Sequence, residues 1–484
     1  MINSSSSTAS LLVSKKNFLH IFSIVFLPMF LAAVDQTLLA TATPTIVNEL
    51  GGMHLASWII IGYLLATAAS VPIYGWLGDR FNRRNMLIVA LVIFTLGSIV
   101  SALAPSMPIL VVGRVIQGLG GGGLMSLSQA LIGEFVPPRQ RARFQGYFAS
   151  LFAIASIGGP VIGGFVVTYL SWQWLFWVNI PIIIFAISRL MSLTTTKSTL
   201  HKGKIDWTGL ILFPIIMTTL IYWLTSGGHG FGWLSLESVM IIGACVLLTI
   251  VFIIQQKKAL HSFLPLTLLY KKEIYIPLTS TFLFAACLFA LIFFLPIYLQ
   301  IGFGANASTS GLLLLPLTIG TITGAYTTGK IISQTGVPKW IPVVGMSITT
   351  IAFLLLGLLP PVPELIAGLG FFCGIGLGTV MPSTQLLIQS LAGKENLGRI
   401  ISMASLSRSL GASMGTALFG ALIYALIPNF NRNSGIEFLL NSPRENIINA
   451  FQTGFLVAAI IAFCCAVNAA RAPRISLDDL GDEW

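Results

Sequence analysis

Apolar residues run along this chain in long unbroken blocks, with polar residues gathered into the short stretches between them. Fourteen such blocks stand out, at roughly 18–43, 55–76, 86–104, 108–132, 144–170, 172–192, 206–225, 236–256, 275–300, 308–333, 340–360, 363–390, 400–427 and 447–470. Each is close to the ~20 residues that carry a helix across a hydrocarbon layer about 30 Å thick. A backbone without water must satisfy its own hydrogen bonds, so blocks of this length predict membrane-spanning helices. The longest connector on the side poor in basic residues, about 428–446, is too short to build a core of its own. Function is therefore expected inside the helical bundle.

Composition agrees: in 484 residues, 55% are hydrophobic and 8% charged, and the mean hydropathy is +0.90. Those values exclude an ordinary soluble protein. Of the 26 Lys and Arg residues, 22 fall in the termini and in alternate connectors on one side. Arg432 and Arg444 lie on the other side, while Arg114 and Arg408 fall inside blocks. Basic connectors stay cytoplasmic, so this pattern predicts an even number of spans with both termini in the cytoplasm, in an inner (plasma) membrane. It also accounts for the net charge of +11 through contact with lipid headgroups, without a nucleic-acid partner. Cys245, Cys287, Cys373, Cys464 and Cys465 all lie in blocks, with no metal-ligand spacing, and read as small core residues. His20, His54, His201, His229 and His261 are scattered, and no nucleophile stands with a base, so an enzyme is not expected. No metal or cofactor is expected either. A signal peptide is a competing reading of the start, with Ala40-Thr41-Ala42 as its cleavage site. The run is too long for one and contains an acid, which favours a first spanning helix.

Two connectors look related. GWLGDRFNRR (Gly75 to Arg84) follows the second block and GKIISQTGVPK (Gly329 to Lys339) the tenth. Both end a helix in glycine and small polar residues, turn sharply and deliver cations. The second copy is degenerate, with Ser333 where Asp79 would align. If the second half restarts at the ninth block, the chain divides into a six-helix unit (1–200), a two-helix insert (201–260) and a second six-helix unit with a short tail (261–484). Two such units related by an axis along the membrane normal are a transporter architecture, with the substrate between them near mid-membrane.

Charges inside the blocks sharpen this. Asp35 is the only carboxylate deep in a block; the other acids fall in connectors, at helix ends or in the tails. An ionisable group there costs at least about 2.5 kcal/mol on insertion scales, which makes it a functional candidate by default. With the first block running outward and the fourth starting outside, Asp35 and Arg114 are expected about 12 Å and 9 Å below their outer ends, on one level. Burial favours the neutral acid and a neighbouring guanidinium favours the carboxylate, so relative movement of the two would load or release a proton. At the connector, Gly75 and Gly78 permit close helix approach and Asp79 can cap a helix or pair with a cation, while Arg80, Arg83 and Arg84 lie at headgroup level. Glu134 ends the fourth block.

These motifs resemble the major facilitator superfamily. GWLGDRFNRR resembles its cytoplasmic loop signature, which in that family locks the outward-open state. It departs from the pattern at Asn82, where glycine is usual; Asn is the residue that best replaces glycine at positive φ. In that family an acid at the end of the fourth helix pairs with the loop between the second and third helices, so the resemblance implies that Glu134 latches onto Arg83 or Arg84. LVVGRVIQGLGGGG (Leu110 to Gly123) resembles the fourth-helix motif whose Arg, here Arg114, serves proton coupling. ASIGGPVIGGFV resembles the fifth-helix antiporter motif at Gly159, Pro160, Gly163 and Gly164. VDQTLLATATPTI and WQWLFWVNIP resemble the first helix and the start of the sixth in the fourteen-helix drug:proton antiporters. In the second half, GLLLLP, GIGLGTVMPS and SLGASMGTALFG match more loosely. Gly118, Gly163 and Gly164 are expected to be packing faces, and Pro160 a bend.

The resemblance implies an all-α polytopic membrane protein of the major facilitator fold, with 14 transmembrane helices arranged as 6+2+6. It implies proton-coupled export of amphipathic, cationic drugs or toxic compounds by alternating access. Asp35 and Arg114 would couple the proton, and a proton gradient rather than a cofactor would supply the energy. Trp58, Tyr63, Gln117, Gln129, Phe289, Phe293 and Gln385 are candidates to line the cavity. An envelope adaptor protein is a candidate partner. The alternatives are a dedicated exporter of one metabolite, such as a siderophore, lipid or peptide, and a non-transporting receptor or scaffold of the same fold.

Overall fold

The computed structural model describes residues 15–52, 55–56, 58–136, 138–193, 206–227, 231–259, 264, 269–305, 307–393, 396–427 and 443–475. Fifteen helices are described: α1 (Lys15–Leu50), α2 (Trp58–Arg80), α3 (Arg83–Ala102), α4 (Met107–Phe135), α5 (Pro138–Tyr169), α6 (Trp174–Trp177), α7 (Asn179–Met191), α8 (Trp207–Ser226), α9 (Leu236–Lys258), α10 (Lys272–Phe303), α11 (Ala307–Thr335), α12 (Trp340–Leu358), α13 (Pro363–Ala392), α14 (Leu397–Leu426) and α15 (Arg444–Ala470). Extended structure among the described residues is limited to one isolated bridge, Gly227 to Phe231. Twelve helical stretches are long and apolar enough to cross a membrane, with α6 and α7 together supplying one of them. α5 and α14 fall outside that set; their first turns carry Arg139 and Arg141, and Arg399.

Helix boundaries follow local chemistry. α1 runs on past the expected end at residue 43 to Leu50, where Gly51 and Gly52 both take positive φ. Ala40-Thr41-Ala42 thus lies inside the helix. The segment expected as one helix over 172–192 is broken between Trp177 and Asn179. Pro181 has no N–H to offer the Trp177 carbonyl, which interrupts the ladder there. Asn82 sits at φ 152°, the one non-glycine residue with positive φ among those described. Its side chain accepts the N–H groups of Arg84 at 3.0 Å and Asn85 at 3.3 Å, so the residue standing in for glycine also caps α3.

Separate apolar cores form in the two halves. One draws on buried residues between Ile24 and Leu193, the other on residues between Phe284 and Ala466. In the first, glycines bring α4 close to two neighbours at once: a Cβ on Gly118 of α4 would strike the Tyr63 backbone of α2, and one on Gly97 of α3 the Gln117 backbone of α4. Gly320 and Gly374 play the same part between α11 and α13. The halves meet where α2 and α4 pack on α14, and α5 on α11 and α13. α8 lies across the first of these seams: Leu65 and Ala68 of α2, Leu410 of α14 and Ile221 of α8 share one cluster. α9 turns Val239, Val246, Leu247, Ile250 and Ile254 outward, a surface that suits acyl chains rather than water.

Of the five cysteines, all unpaired, Cys464 is exposed, in contrast to its expected burial, and the other four are buried. The expected domain boundaries at 200/201 and 260/261, most of the connector at 428–446, and the side chain of Pro160 lie outside the described residues.

Candidate functional site

Asp35 and Arg114 meet inside the first half. Arg114 Nη1 donates to Asp35 Oδ2 at 2.7 Å, and both side chains are sealed from solvent, 1% and 4% exposed for Arg114 and Asp35 respectively. Because α1 extends to Leu50, Asp35 lies fifteen residues below its end, roughly 22 Å rather than the expected 12 Å. The shared level nevertheless holds, since the pair is in contact.

The pair is the centre of a network. Gln117, three residues on from Arg114 and so on the same helix face, donates through Nε2 to Asp35 Oδ1 at 3.0 Å and to Ser98 Oγ at 2.9 Å. Its Oε1 accepts a short bond from Arg114 Nη1. Arg114 Nε donates to the Ile59 carbonyl at 3.1 Å, and Asn179 Nδ2 donates to Ser98 Oγ at 3.3 Å. The guanidinium lies over the Tyr63 ring, 4.3 Å from its centroid, with Phe176 at 6.0 Å. Five elements, α1, α2, α3, α4 and the α6–α7 segment, thus converge on one carboxylate. Its charge is answered by one guanidinium and one amide. Withdrawal of either leaves a buried ion unbalanced, and taking up a proton is the simplest remedy.

Asp79 builds the second cluster, across the two halves. Its Oδ1 accepts from Arg83 Nη2 and the Gly398 N–H, and Oδ2 from the Arg399 N–H, each at 2.8 Å. Gly398 and Arg399 are in the first turn of α14, so an acid of the first half caps, and sits in the dipole of, a helix in the second. A Cβ on Gly75 or Gly398 would lie 2.5 Å from the other residue's carbonyl oxygen; two glycines are needed for this approach. Gly78 likewise leaves room for Leu127. Arg83 also donates through Nη1 to Glu134 at 3.0 Å. Of the two expected partners of Glu134, Arg83 is the one observed; Arg84 donates instead to the Leu193 carbonyl at 2.7 Å. Arg80 lies over Trp76, 5.2 Å from the ring centroid. Asp79, Arg83 and Glu134 form a chain of alternating charge that closes this end of the bundle.

The fifth-helix glycines divide. A Cβ on Gly159 would strike Thr37 and one on Gly163 the Leu38 carbonyl, so both fit α5 against α1. Gly164 has nothing within 4 Å of a Cβ, in contrast to the packing face expected there. Among the cavity candidates, Tyr63 and Gln117 belong to the Asp35 network. Trp58 stacks on Tyr222 of α8, with ring centroids 6.1 Å apart. Gln129 and Gln385 are buried, the latter accepting from Gln389 at 3.4 Å. Phe289 packs against the second core, and Phe293 is exposed. The structure brings Trp58 and the two phenylalanines to no common site.

Sequence reading misses Ser98, a serine in an apolar run with nothing to mark it. Asn179 stands inside the quoted WQWLFWVNIP, and its polarity within a span is the signal that would have found it. Arg141 is also missed: it is buried, and donates back to the carbonyls of Val136 and Gly133, bracing the turn into α5.

Comparison with known proteins fits this geometry. A family model described as Major Facilitator Superfamily matches residues 25–416 and 278–476. The chain belongs to the major facilitator superfamily. An uncharacterized MFS-type transporter of Mycobacterium tuberculosis (strain ATCC 25618 / H37Rv) is 34% identical over 405 residues, covering 83% of this chain and 59% of that protein. This chain thus spans about three-fifths of the length of that relative. The multidrug transporter protein MdtP of Bacillus subtilis is 30% identical over 423 residues, 87% of this chain and 78% of its own length. The solved structure of a proton:xylose symporter superposes with a TM-score of 0.67 at 14% identity, covering 98% of this chain and all of the other, which speaks to the fold. Both of these relatives are named as transporters.

Proposed function

We propose that this transporter is a proton-driven exporter of amphipathic compounds. In this reading it has fourteen spans arranged as 6+2+6, with both termini in the cytoplasm of a cell whose inner (plasma) membrane it occupies. The observation that carries the reading is the sealed Asp35–Arg114 ion pair at 2.7 Å: one proton-accepting group, held by one cation, inside the half-bundle that must rock. The Asp79 bridge to the first turn of α14 supplies the cytoplasmic latch of an outward-facing state. Its release would let the cavity open inward to take up a compound. The single acid implies a small proton count per cycle. Similarity to a protein named as a multidrug transporter supports a substrate range wider than one metabolite.

Inside-out vesicles test this directly. Vesicles acid inside are expected to accumulate amphipathic compounds from a panel, and to stop when the gradient is collapsed. Accumulation that is indifferent to the gradient, or that survives intact in Asp35→Asn, sinks the proton-driven mechanism.

A further inference from the structure

At the end of the bundle opposite the Asp79 latch lies a groove that neither proton coupling nor gating uses. α7 crosses between the two ends. Just past its last residue, the Leu193 carbonyl accepts from Arg84 beside the latch, so its first turn stands with α6 and the last turn of α1 at the other end. Trp172, before the start of α6, donates to Glu49 of α1 there. Glu49, Gln173, Trp174, Trp177, Val178 and Pro181 line most of a groove of about 740 Å³, a volume that takes a small ligand.

The polar part of this groove asks for a cation. Glu49 is in the last turn of α1, where no basic residue stands, so its carboxylate adds to the negative end of the helix dipole instead of offsetting it. Among the described residues no cation pairs with it. Two neutral donors hold it: Trp172 Nε1 donates to Oε2 at 2.8 Å and Gln173 Nε2 to Oε1 at 3.4 Å. Trp172 is itself buried, which fixes the carboxylate in place rather than leaving it to solvent. Gln173 spends its nitrogen on Glu49, and its Oε1 is a buried acceptor with no donor among the described residues. A carboxylate and an unmet amide oxygen together call for a positive group that carries N–H bonds. The two indoles in the lining suit the same guest, since an aromatic face attracts a cation.

The rest of the guest is apolar and long. Val178, Pro181, Ile184 and Phe185 are exposed and recur at the three- and four-residue spacing of one helix face, so an apolar strip continues from the groove along α7. Tryptophans such as Trp174 and Trp177 favour the level where headgroups give way to acyl chains. A head at the end of the bundle and a tail along its flank is the posture of a lipid, whereas a compound in transit passes between the halves. We propose that this groove binds an aminophospholipid of the phosphatidylethanolamine class, its ammonium between Glu49 and Gln173 and an acyl chain along α7. In the topology proposed above this is the outer leaflet. Such binding needs neither a proton gradient nor a transported compound, so it stands apart from the exporter reading.

Native mass spectrometry of the delipidated full chain tests this, with phosphatidylethanolamine, phosphatidylcholine and phosphatidylglycerol of identical acyl chains offered at equal concentration. Phosphatidylethanolamine is expected to populate the first bound adduct at least about threefold more than phosphatidylglycerol. Phosphatidylcholine keeps the positive charge but has no N–H for Gln173, and is expected to fall between them. Glu49→Gln is expected to remove the phosphatidylethanolamine advantage. Glu364→Gln, which removes an exposed acid from the first turn of α13, is expected to keep it. If Glu49→Gln fails to fold, the order of the three lipids on the unaltered chain carries the test. Equal retention of phosphatidylethanolamine and phosphatidylglycerol, or an advantage that survives in Glu49→Gln, overturns the proposal. So does Glu49-dependent binding of dodecylamine without Glu49-dependent retention of phosphatidylethanolamine, which would give the groove to a soluble amphipathic amine.

Discussion

The Asp79 carboxylate and the backbone N–H of Arg399, 320 residues apart in the chain, are hydrogen-bonded at 2.8 Å. A single side chain of the first half therefore does for α14 what an N-cap residue of its own would do, and Asn396, at that position, makes no side-chain cap bond. The stability of a helix end and the closure of the bundle are one and the same interaction.

Asp79→Asn keeps the size of the side chain but loses the charge that answers Arg83 and the helix dipole. Loss of a good cap costs about 0.5–2 kcal/mol, enough to shift a closed-to-open ratio several-fold. Amide hydrogen exchange across the first turn of α14 is expected to quicken in Asp79→Asn. Unchanged protection there would mean that the contact does not hold the end closed.

Removing one partner of the buried ion pair is expected to hurt stability more than removing both. Asp35→Asn leaves Arg114 as an uncompensated buried cation, at a cost of about 3–5 kcal/mol. Asp35→Asn combined with Arg114→Gln is expected to recover much of the thermal stability while remaining inactive in gradient-driven transport. A double variant less stable than either single one would mean that the pair is not the energetic unit described here.

Adjacent glycines of α5 separate packing from composition. Gly163→Ala places a methyl against the Leu38 carbonyl and is expected to lower the unfolding temperature. Gly164→Ala meets nothing within 4 Å and gains about 1 kcal/mol in helix propensity, so it is expected to be neutral or stabilising. Equal effects at the two positions would contradict the α1–α5 contact.

Asn82 combines an unusual φ with a cap, and two substitutions tell them apart. Asn82→Gly keeps the conformation and loses only the cap, costing a few tenths of a kcal/mol. Asn82→Ala loses both, and is expected to cost about 1–3 kcal/mol more through backbone strain. Thermal unfolding of the two variants reads the difference; an alanine variant as stable as the glycine one removes the strain argument.

Much of this arrangement is legible in the order of residues. Block length places the helices, and the isolation of Asp35 among apolar neighbours marks it. Counting residues from helix ends then finds its partner, even though the end of α1 is misplaced, because both charges are tied to helices whose directions are known. Legibility fails where specificity comes from packing. Nothing about Ser98 distinguishes it from any small residue until α3 is laid against α4. Arg83 and Arg84 are equivalent in sequence; the α3 helix start aims one at Glu134 and the other at Leu193.

The placement of α8 across the α2–α14 seam has a mechanical consequence. In the proposed alternating-access cycle, each parting of the two halves there breaks the contact of Ile221 with Leu65, Ala68 and Leu410 on one side or the other. In water that would resist opening, but in a bilayer the vacated surface is met by acyl chains as apolar as leucine, so little free energy is lost. In that cycle α8 behaves as a lubricated bearing rather than a clamp, and turnover is expected to depend on the fluidity of the surrounding lipid.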